Sequence, residues 1–588
     1  MKRRAFLAAA ATLAPAARIG FAQNADDDVI LRAMRDELDR SRQLRVVGGG
    51  DNIPYFISYG LSDSSSFRVS ASFGAALLVN RRRSRVPEIQ VRVGGYDFDD
   101  TGHIYSGVYT GSRFDNEWPL DDSYAALRES FWLATDRAYK TALESMARKR
   151  AALNSMSAPS DKLADYSPAE PVKEIAKAAR RKIDEAGWQA RVVKLSAVFD
   201  SYPEVLSGGV EFQAIQGTTY LMNSEGTTLR YPDDVIFLFT KVEGQAPDGM
   251  IVRDFVSFQG IDADQMAPEP AMREAFTNAA ENVRRLAKAP AGEGYSGPTL
   301  FEPAAAAQLL AQLLGDNLWV SRKPIGEPGR TVNFLPSEFE SKVGSRILPE
   351  WIDVVDDPAQ TQWNGKPLAG HERFDMEGVE SKAVAVVEKG VLKNFLTTRQ
   401  PVHGFSGSNG HARMPGSYGA ARAAITNLIV KSSQGSPLGD LKKKMMDLSK
   451  ERGKPYGMLV RKLDYPFSAN VTDLRSLASS STQSGGSARP LSPPILVYRV
   501  YADGREELVR GLRFRGVSTR VLRDVLAASE ESALFDFVNN AAPLAYLGAG
   551  GYLAPAAVVA PGLLFDEIEF ELPQEQLPKP PIVPPPTA

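Results

Sequence analysis

Four side chains carry all the imidazole chemistry available to this 588-residue chain: His103, His371, His403 and His411. Cysteine is absent, so the chain offers no thiolate nucleophile, no thiolate metal ligand and no disulfide. Any histidine-dependent catalysis or metal binding must use these four residues, together with carboxylates that the fold brings to them.

The densest group of candidate donors begins at His371. His371 and Glu372 are followed by Asp375 and Glu377, so an imidazole and three carboxylates fall within seven residues. Imidazole and carboxylate together can bind a divalent metal. A solvated acidic loop has the same composition and is the simpler interpretation, and the spacing leaves both possibilities open.

The next two histidines flank a glycine-rich loop. His403 and His411 lie on either side of residues 404–410, where they could bind a metal across the loop or be ordinary loop residues. Nearby hydroxyl groups belong to Ser406, Ser408 and Ser417. They suggest serine–histidine chemistry, but none lies in the Gly-x-Ser-x-Gly turn that exposes a catalytic serine.

Hydrophobic periodicity predicts the elements that position these residues. Apolar residues at helical spacing predict helices over residues 27–44, 121–153, 172–186, 269–289, 302–318 and 438–450. Strand patterns occupy residues 53–79 and 86–98, much of 190–258, and a buried run at 552–565. Hairpin turns are predicted at 223–226, 388–390 and 503–504, where a polar turn ending in glycine separates β-prone runs.

The order of these elements predicts an α+β protein in two parts. Residues 23–293 form an N-terminal α+β domain with insertions, and residues 294–572 form a β-rich C-terminal domain. The glycine-punctuated stretch 292–297 is the predicted boundary between them. Residues 573–588 contain seven prolines, so we expect an extended proline-rich tail there.

The N-terminus predicts export. Lys2, Arg3 and Arg4 precede an apolar stretch at 6–16, and small residues follow at Gly20 and Ala22, which together are typical of a secretory signal peptide over residues 1–22. The arginine pair favours the twin-arginine route, with a general secretory signal or an uncleaved anchor as alternatives. We expect a periplasmic or extracellular protein with no integral membrane segment after signal removal.

The overall charge is close to neutral. The formal net charge is -2, from 69 basic and 71 acidic residues. Such a balance produces no global positive field to attract a phosphate backbone, so we expect no nucleic-acid partner.

Four segments, taken in order, resemble the TldD/PmbA family. They are the Asn-Ser-Glu-Gly turn at 223–226, the acidic turn and hairpin at 374–396, the Thr-Asn pair at 426–427, and the closing strand at 558–567. The resemblance covers roughly residues 190 to 570 and does not extend to residues 27–190. It implies a metallopeptidase scaffold of two subunit types that acts on unstructured peptides inside an enclosed cavity.

In the metal-bearing subunits of that family, a helix carries His-Glu-x-x-x-His. Two imidazoles and a thiolate hold zinc, and the glutamate accepts a proton from the zinc-bound water. The resemblance places this motif on the predicted helix 302–318, where Ala311 replaces the first histidine, Gln312 the glutamate and Asp316 the second histidine. We therefore expect no catalytic residue, no metal ligand and no cofactor in this chain, in contrast to the zinc of the metal-bearing members.

These replacements remove the chemistry that the motif performs. The methyl group of Ala311 has no lone pair, Gln312 has no proton site that titrates near neutral pH, and the single carboxylate of Asp316 is not a zinc site. Positions 311 and 316 also lie about 140° apart on an ideal helix. A shared site would therefore require a local distortion of the helix.

The resemblance and the lost motif together predict a non-catalytic subunit. Such a subunit would bind a peptide or an unfolded protein segment, and would form a homodimer or a heterodimer with a metal-bearing sister subunit. Two alternatives remain open. One is an active metallopeptidase with a rearranged site built from His371, His403 and His411; the other is a structural protein of the cell envelope that has kept only the fold.

Overall fold

The computed structural model describes most of the chain. The described residues are 28–44, 52–103, 118–156, 163–177, 182–326, 329, 332, 334, 336–415, 419–465, 491–538, 554–574, 577–581 and 583. The predicted signal peptide and Ser417 lie outside the described residues, as does much of the predicted tail.

The first part of the chain folds around a sheet that contains seven of the described strands. Its strands are β1 (Pro54–Ser72), β2 (Ala75–Val93), β3 (Lys173–Ile175), β4 (Val205–Asn223), β5 (Thr228–Pro232), β6 (Val235–Gln245) and β7 (Ile251–Gly260). Its helices are α1 (Val29–Ser41), α2 (Tyr124–Asn154), α3 (Glu185–Ser196) and α4 (Glu269–Lys288). The order β2-β1-β4-β5-β3 leaves β2 at one edge. The second half of β4 pairs with β5, while its first half pairs with β6, which in turn pairs with β7.

Turn chemistry explains the first hairpin. Phe73 and Gly74 have positive φ angles of 45° and 71°, and Ser72 pairs with Ala75, so β1 and β2 are joined by a two-residue turn with both central residues left-handed. This geometry matches the twist of the strands. The predicted strand over 53–79 is therefore two strands, because the chain reverses at Gly74.

One predicted helix is wrong. The stretch 172–186 contains β3, which pairs in parallel with β5, and α3 begins only at Glu185. Asp184 caps α3 by accepting a hydrogen bond from the backbone N–H of Gly187 at 3.0 Å. Pairing with the exposed edge of β5 overrides the helical preference of a short charged segment.

The second part of the chain folds around a larger sheet that contains eleven of the described strands. Its members are β8 (Tyr295–Phe301), β9 (Ile352–Asp356), β12 (Val384–Glu388), β13 (Val391–Leu392), β16 (Asn427–Ser432), β17 (Tyr456–Leu463), β18 (Pro494–Tyr501), β19 (Glu506–Val509), β20 (Arg513–Phe514), β21 (Val525–Val538) and β22 (Pro555–Glu571). Two ribbons lie apart from it, β10 (Gln362–Trp363) with β11 (Lys366–Pro367) and β14 (Ala412–Pro415) with β15 (Ala421–Ala423). The helices are α5 (Pro303–Leu313) and α6 (Leu438–Glu451).

The long strand β22 organises this second sheet. It pairs with β8, β16, β20 and β21, and its residues from Ala556 to Phe565 are buried. The apolar run predicted at 552–565 is thus a buried strand, as its length and its two prolines indicated. Helix α5 packs against β22 and β21 on one face of the sheet.

Helix α4 joins the two parts. Met272, Phe276 and Val283 on α4 belong to one hydrophobic cluster that also contains Phe212 of the first sheet and Tyr498 of the second. The chain passes from one sheet to the other between Gly260 and Tyr295, across this helix. The α+β class is confirmed. The predicted domain boundary stays a prediction, although the stretch 292–297 already contains the first residues of β8.

No helix in the described part of the chain has the length and apolar character needed to cross a membrane.

Candidate functional site

Helix α5 forms directly after the central strand β8. Glu302 is its extended N-cap and Pro303 occupies the first helical position, where the missing N–H has no consequence. Every residue from Ala305 to Leu313 is buried. The α-helix ends there, and Gly315–Asn317 continue as one tighter 3-10 turn.

That change of winding brings two of the three motif positions together. Ala311 and Asp316 line one small cavity of about 10 Å³, the size of a single water molecule. The remaining lining residues are Gly315, Trp319, Arg422, Ala423, Ala424, Ile425, Tyr465 and Phe537. A site shared by positions 311 and 316 would require a local distortion of the helix, and that distortion is the 3-10 turn at the end of α5.

The third motif position, Gln312, has a structural role. Its Oε1 accepts a hydrogen bond from the backbone N–H of Ser492 at 2.9 Å, and its Nε2 donates to the carbonyl oxygen of Gln308 at 3.1 Å. Gln308, one turn earlier, donates to the carbonyl oxygens of Leu463 and Tyr465. Both glutamines thus connect α5 to neighbouring backbone, and both polar atoms of the Gln312 amide have a hydrogen-bond partner.

A guanidinium group accompanies the carboxylate in the cavity. Burial lowers the pKa of Arg422, and the negative charge of Asp316 opposes that shift. Burial raises the pKa of Tyr465, and Asp316 raises it further. Arg422 also contacts the sulfur of Met414 and lies over the Trp319 ring at 5.3 Å. Asp316 therefore faces a cation that the protein itself supplies.

The zinc ion implied by the family resemblance does not fit this arrangement. Ala311 has no donor atom, the oxygen of Gln312 is taken by Ser492, and Asp316 offers one carboxylate beside Arg422. A dication placed there would be repelled by the guanidinium and would lack the nitrogen and sulfur donors that zinc prefers. The α5 cavity therefore lacks the ligands that a zinc-dependent step requires.

The histidines do not assemble into a substitute site. His411 is fully buried, with Nε2 3.1 Å from Asp356 Oδ1 and Nδ1 3.0 Å from Asn409 Oδ1. His403, its predicted partner across the glycine-rich loop, is exposed. In the described part of the chain, no group of three or more histidine, aspartate and glutamate side chains has a geometry that could hold a metal.

The acidic turn after His371 distributes its side chains to different partners. His371 Nδ1 lies 2.8 Å from the carbonyl oxygen of Pro358. Asp375 is buried and accepts hydrogen bonds from the backbone N–H groups of Glu377, Val379 and Ala412. Asp375 therefore shapes the turn through three backbone hydrogen bonds.

A buried polar network joins this region to the first sheet, and it was not predicted from the sequence. The guanidinium of Arg399 donates to the carbonyl oxygen of Ser167 at 2.7 and 2.9 Å and to Glu225 at 2.6 Å. It also lies over the Tyr166 ring at 4.1 Å. Glu225 belongs to the predicted Asn-Ser-Glu-Gly turn, so that turn connects the two parts of the protein.

A cleft between the two parts was also missed. It has a volume of about 680 Å³. One wall is a face of the first sheet, from β1, β2, β4 and β5, and the other wall comes from residues 369–376, 413–415 and 554–555. The cleft joins residues from distant parts of the chain, so the sequence did not predict it. Of its lining residues, only His371 and Glu372 were candidate site residues in the sequence.

The cleft and the α5 cavity lie on opposite sides of one ribbon. Met414 on β14 is directly opposite Arg422 on β15, and the two share the face toward the α5 cavity. Arg413, at the register shift between Ala412 and Met414, lines the cleft.

Comparison with known proteins identifies the scaffold. Residues 294–460 match the family of the PmbA/TldA metallopeptidase C-terminal domain. Short segments are 34% identical over 64 residues to a metalloprotease of Methanocaldococcus jannaschii and 31% identical over 78 residues to one of Archaeoglobus fulgidus. These matches span only 13% and 17% of the relatives' own lengths.

Solved structures match over most of the chain. TldE from Thermococcus kodakarensis superposes with a TM-score of 0.56 at 14% identity, over 92% of this chain and 99% of that one. A candidate modulator of DNA gyrase from Thermotoga maritima gives a TM-score of 0.55 at 13% identity, over 88% of this chain and 96% of that one. At these identities the likeness shows the fold.

The matched region contains α5, the helix on which the sequence resemblance places the zinc motif. The family match at residues 294–460, the short matches to metalloproteases and the shared fold all support membership of this chain in the TldD/PmbA family.

Proposed function

We propose that this chain is a non-catalytic member of the TldD/PmbA family that binds a peptide or unfolded protein segment, or completes the cavity of a metal-bearing sister subunit. The observation that carries the proposal is the state of α5. Gln312 holds loop backbone, Ala311 has no donor atom, and Asp316 faces Arg422. None of these groups can activate a water molecule for peptide hydrolysis.

Metal analysis of the purified protein tests the loss of catalysis. After dialysis in a buffer that contains trace zinc, we expect the protein to hold less than one zinc ion per chain. We also expect no cleavage of an unstructured polypeptide such as β-casein, with or without added zinc. A metal-bearing relative assayed in parallel serves as the positive control. Stoichiometric zinc together with chelator-sensitive cleavage would show that the proposal is wrong.

The exposed edge of the first sheet supports the proposed partnership with a sister subunit. The outer edge of β2 has no partner among the described strands, and residues 75–83 of β2 are all exposed. Leu77, Leu78 and Val79 are 68%, 37% and 37% exposed. An exposed apolar edge strand is a template for pairing with another chain, and proteins normally cover or charge such edges.

Co-expression with a family member that carries the intact motif tests the partnership. We expect a stable complex by size-exclusion chromatography with light scattering, and loss of that complex in Leu77→Lys/Leu78→Lys. A substitution at an exposed site on another element, Leu526→Lys, is the matched control. If no complex forms and no peptide binds, the structural envelope role becomes the better explanation.

Export is part of the same proposal. The N-terminal pattern supports cleavage after Ala22, which leaves Gln23 as the first residue of the mature protein. N-terminal sequencing of the protein recovered from a periplasmic fraction tests this. An intact Met1 in a cytoplasmic fraction would contradict it.

A further inference from the structure

The cleft between the two sheets is lined by both apolar and charged side chains. Much of the lining is apolar and includes Leu61 and Val86 of the first sheet and Phe374 and Met376 of the facing loop. At about 680 Å³ the cleft falls in the size range of a site for a sizeable ligand. Both walls are needed to form it, so its contents contact the two halves of the protein at once.

Acidic groups outnumber basic groups in the lining. The carboxylates are those of Glu88, Glu174, Asp233, Asp234 and Glu372, and the guanidinium groups are those of Arg373 and Arg413. Both arginines are already paired. Arg373 donates to the Glu174 carboxylate through Nη1 and Nη2, and Arg413 Nε donates to Glu372 at 2.6 Å. Arg413 Nη1 also donates to the carbonyl oxygen of Ile425 at 2.7 Å.

Asp233 contributes a negative charge that the described lining leaves without an ion-pair partner. Its Oδ2 accepts a hydrogen bond from the Thr219 hydroxyl at 3.1 Å, and the carboxylate is open to the cleft. It faces Glu372 across the cleft closely enough that its charge raises the pKa of Glu372, and Arg413 acts on both carboxylates. Arg413 is thus ion-paired with Glu372, and its charge acts on Asp233 without a direct contact.

The surrounding protein makes this uncompensated charge unfavourable. Although Asp233 is exposed to the cleft, desolvation by the surrounding walls raises its pKa, and desolvation is also the main cause of the raised pKa of the half-buried Glu372. A second cation between the two carboxylates would remove that cost, since an opposite charge favours the ionised form. The protein supplies the first cation itself, and a ligand can supply the second.

We infer that the cleft binds a peptide segment through a lysine or arginine side chain that enters between Asp233 and Glu372, while neighbouring apolar side chains lie against the Leu61 and Phe374 walls. The inference rests on the proposed peptide-binding function and names its substrate class. A charge-assisted hydrogen bond is roughly twice as strong as a neutral one, so the charge of the entering side chain contributes measurably to affinity.

The experiment compares two fluorescent peptides by anisotropy with the full mature chain. Both are acetylated and amidated hexapeptides rich in alanine and leucine; one carries a central arginine, and the other carries citrulline, which has the same shape without the charge. We expect the arginine peptide to bind about tenfold more tightly. In Asp233→Asn that advantage should disappear while citrulline-peptide affinity is kept, because asparagine can still accept the Thr219 hydrogen bond.

Asp503→Asn, in the exposed hairpin turn between β18 and β19, is the matched control and should behave as the wild type. Equal binding of the two peptides by the wild type would overturn the inference and leave peptide binding standing. Equal loss of arginine-peptide affinity in both variants would also overturn it. Failure of both peptides to bind would overturn the proposed peptide-binding function as well.

Discussion

The side-chain oxygen of Gln312 accepts a hydrogen bond from the backbone N–H of Ser492 at 2.9 Å. Gln312, which the sequence resemblance aligns with the family's general base, thus connects α5 to the segment that enters β18. Gln308 makes the same kind of connection to Leu463 one turn earlier. The two glutamines hold α5 against neighbouring backbone.

Restoring the acid at position 312 should destabilise the protein. Gln312→Glu keeps an acceptor for Ser492 but places a second oxygen against the Gln308 carbonyl, so a buried hydrogen bond is lost. We expect a decrease in the free energy of unfolding of about 1–3 kcal/mol, measured by denaturant unfolding. Gln434→Glu on the surface should change it little, and a stabilised Gln312→Glu would contradict the assigned role.

Removing the cation at the α5 cavity should also destabilise. Arg422→Met leaves the half-buried Asp316 carboxylate without the opposing charge of Arg422, and we expect the free energy of unfolding to fall by about 1–3 kcal/mol, because Asp316 keeps some contact with water. The double variant Arg422→Met/Asp316→Asn should recover part of that loss, since it removes both charges. A double-mutant cycle measures the coupling, and strict additivity would show that the two groups do not interact.

Arg399 should be required for the junction between the two parts. Arg399→Met leaves Glu225 without its opposing charge and the Ser167 carbonyl without its donor, although Glu225 keeps the hydrogen bond from the Tyr96 hydroxyl. We expect a loss of about 3–5 kcal/mol. Arg399→Lys should lose less, yet remain clearly destabilised, because an ammonium cannot reproduce the forked contacts or the stacking on Tyr166. The exposed variant Arg346→Met, which breaks a surface pair with Glu350, is the control and should change stability by less than about 1 kcal/mol.

Asp536 should make stability depend on pH. Burial raises the pKa of Asp536 to about 7, whereas an unfolded aspartate titrates near 3.9. Between these values the folded state holds a proton that the unfolded state has lost, so this residue's contribution to stability falls as pH rises from about 4 to about 7. Above pH 7 the full penalty of a buried charge remains.

Asp536→Asn should therefore stabilise the protein at pH 8 and have little effect near pH 4. Asp536 accepts a hydrogen bond from the backbone N–H of Ala369 at 3.3 Å, and asparagine keeps an oxygen that can accept it. The expected gain in the free energy of unfolding at pH 8 is at least about 1 kcal/mol. It is smaller than the value obtained by converting the whole pKa shift into free energy, because the side chain is only partly buried. Unfolding curves at pH 4, 6 and 8 check it, and a difference that does not change with pH would contradict the assignment.

Local chemistry made much of the fold predictable. Pro303 and the leucines after it predicted α5, and polar turns ending in glycine predicted the hairpins at 223–226, 388–390 and 503–504. In the turn at 223–226, Asn223 Oδ1 accepts three backbone N–H groups, those of Glu225, Gly226 and Thr227. Such signals are readable because the interacting groups are a few residues apart.

The error at 172–186 has the opposite origin. The outcome there depended on the free edge of β5, more than fifty residues away in the chain, and nothing in the segment itself carries that information. The pairing of Arg422 with Asp316 depends likewise on where β15 lies relative to α5.

By itself, the sequence determined which chemistry is missing: no thiolate anywhere, and no imidazole or titratable base at positions 311 and 312. Side-chain identity is enough for that, because donor atoms are covalent properties. Only the tertiary structure decided what replaced them. The contacts of Gln312, the cation beside Asp316 and the acidic cleft around Asp233 all join residues far apart in the chain, and their distances exist only after the two sheets have packed.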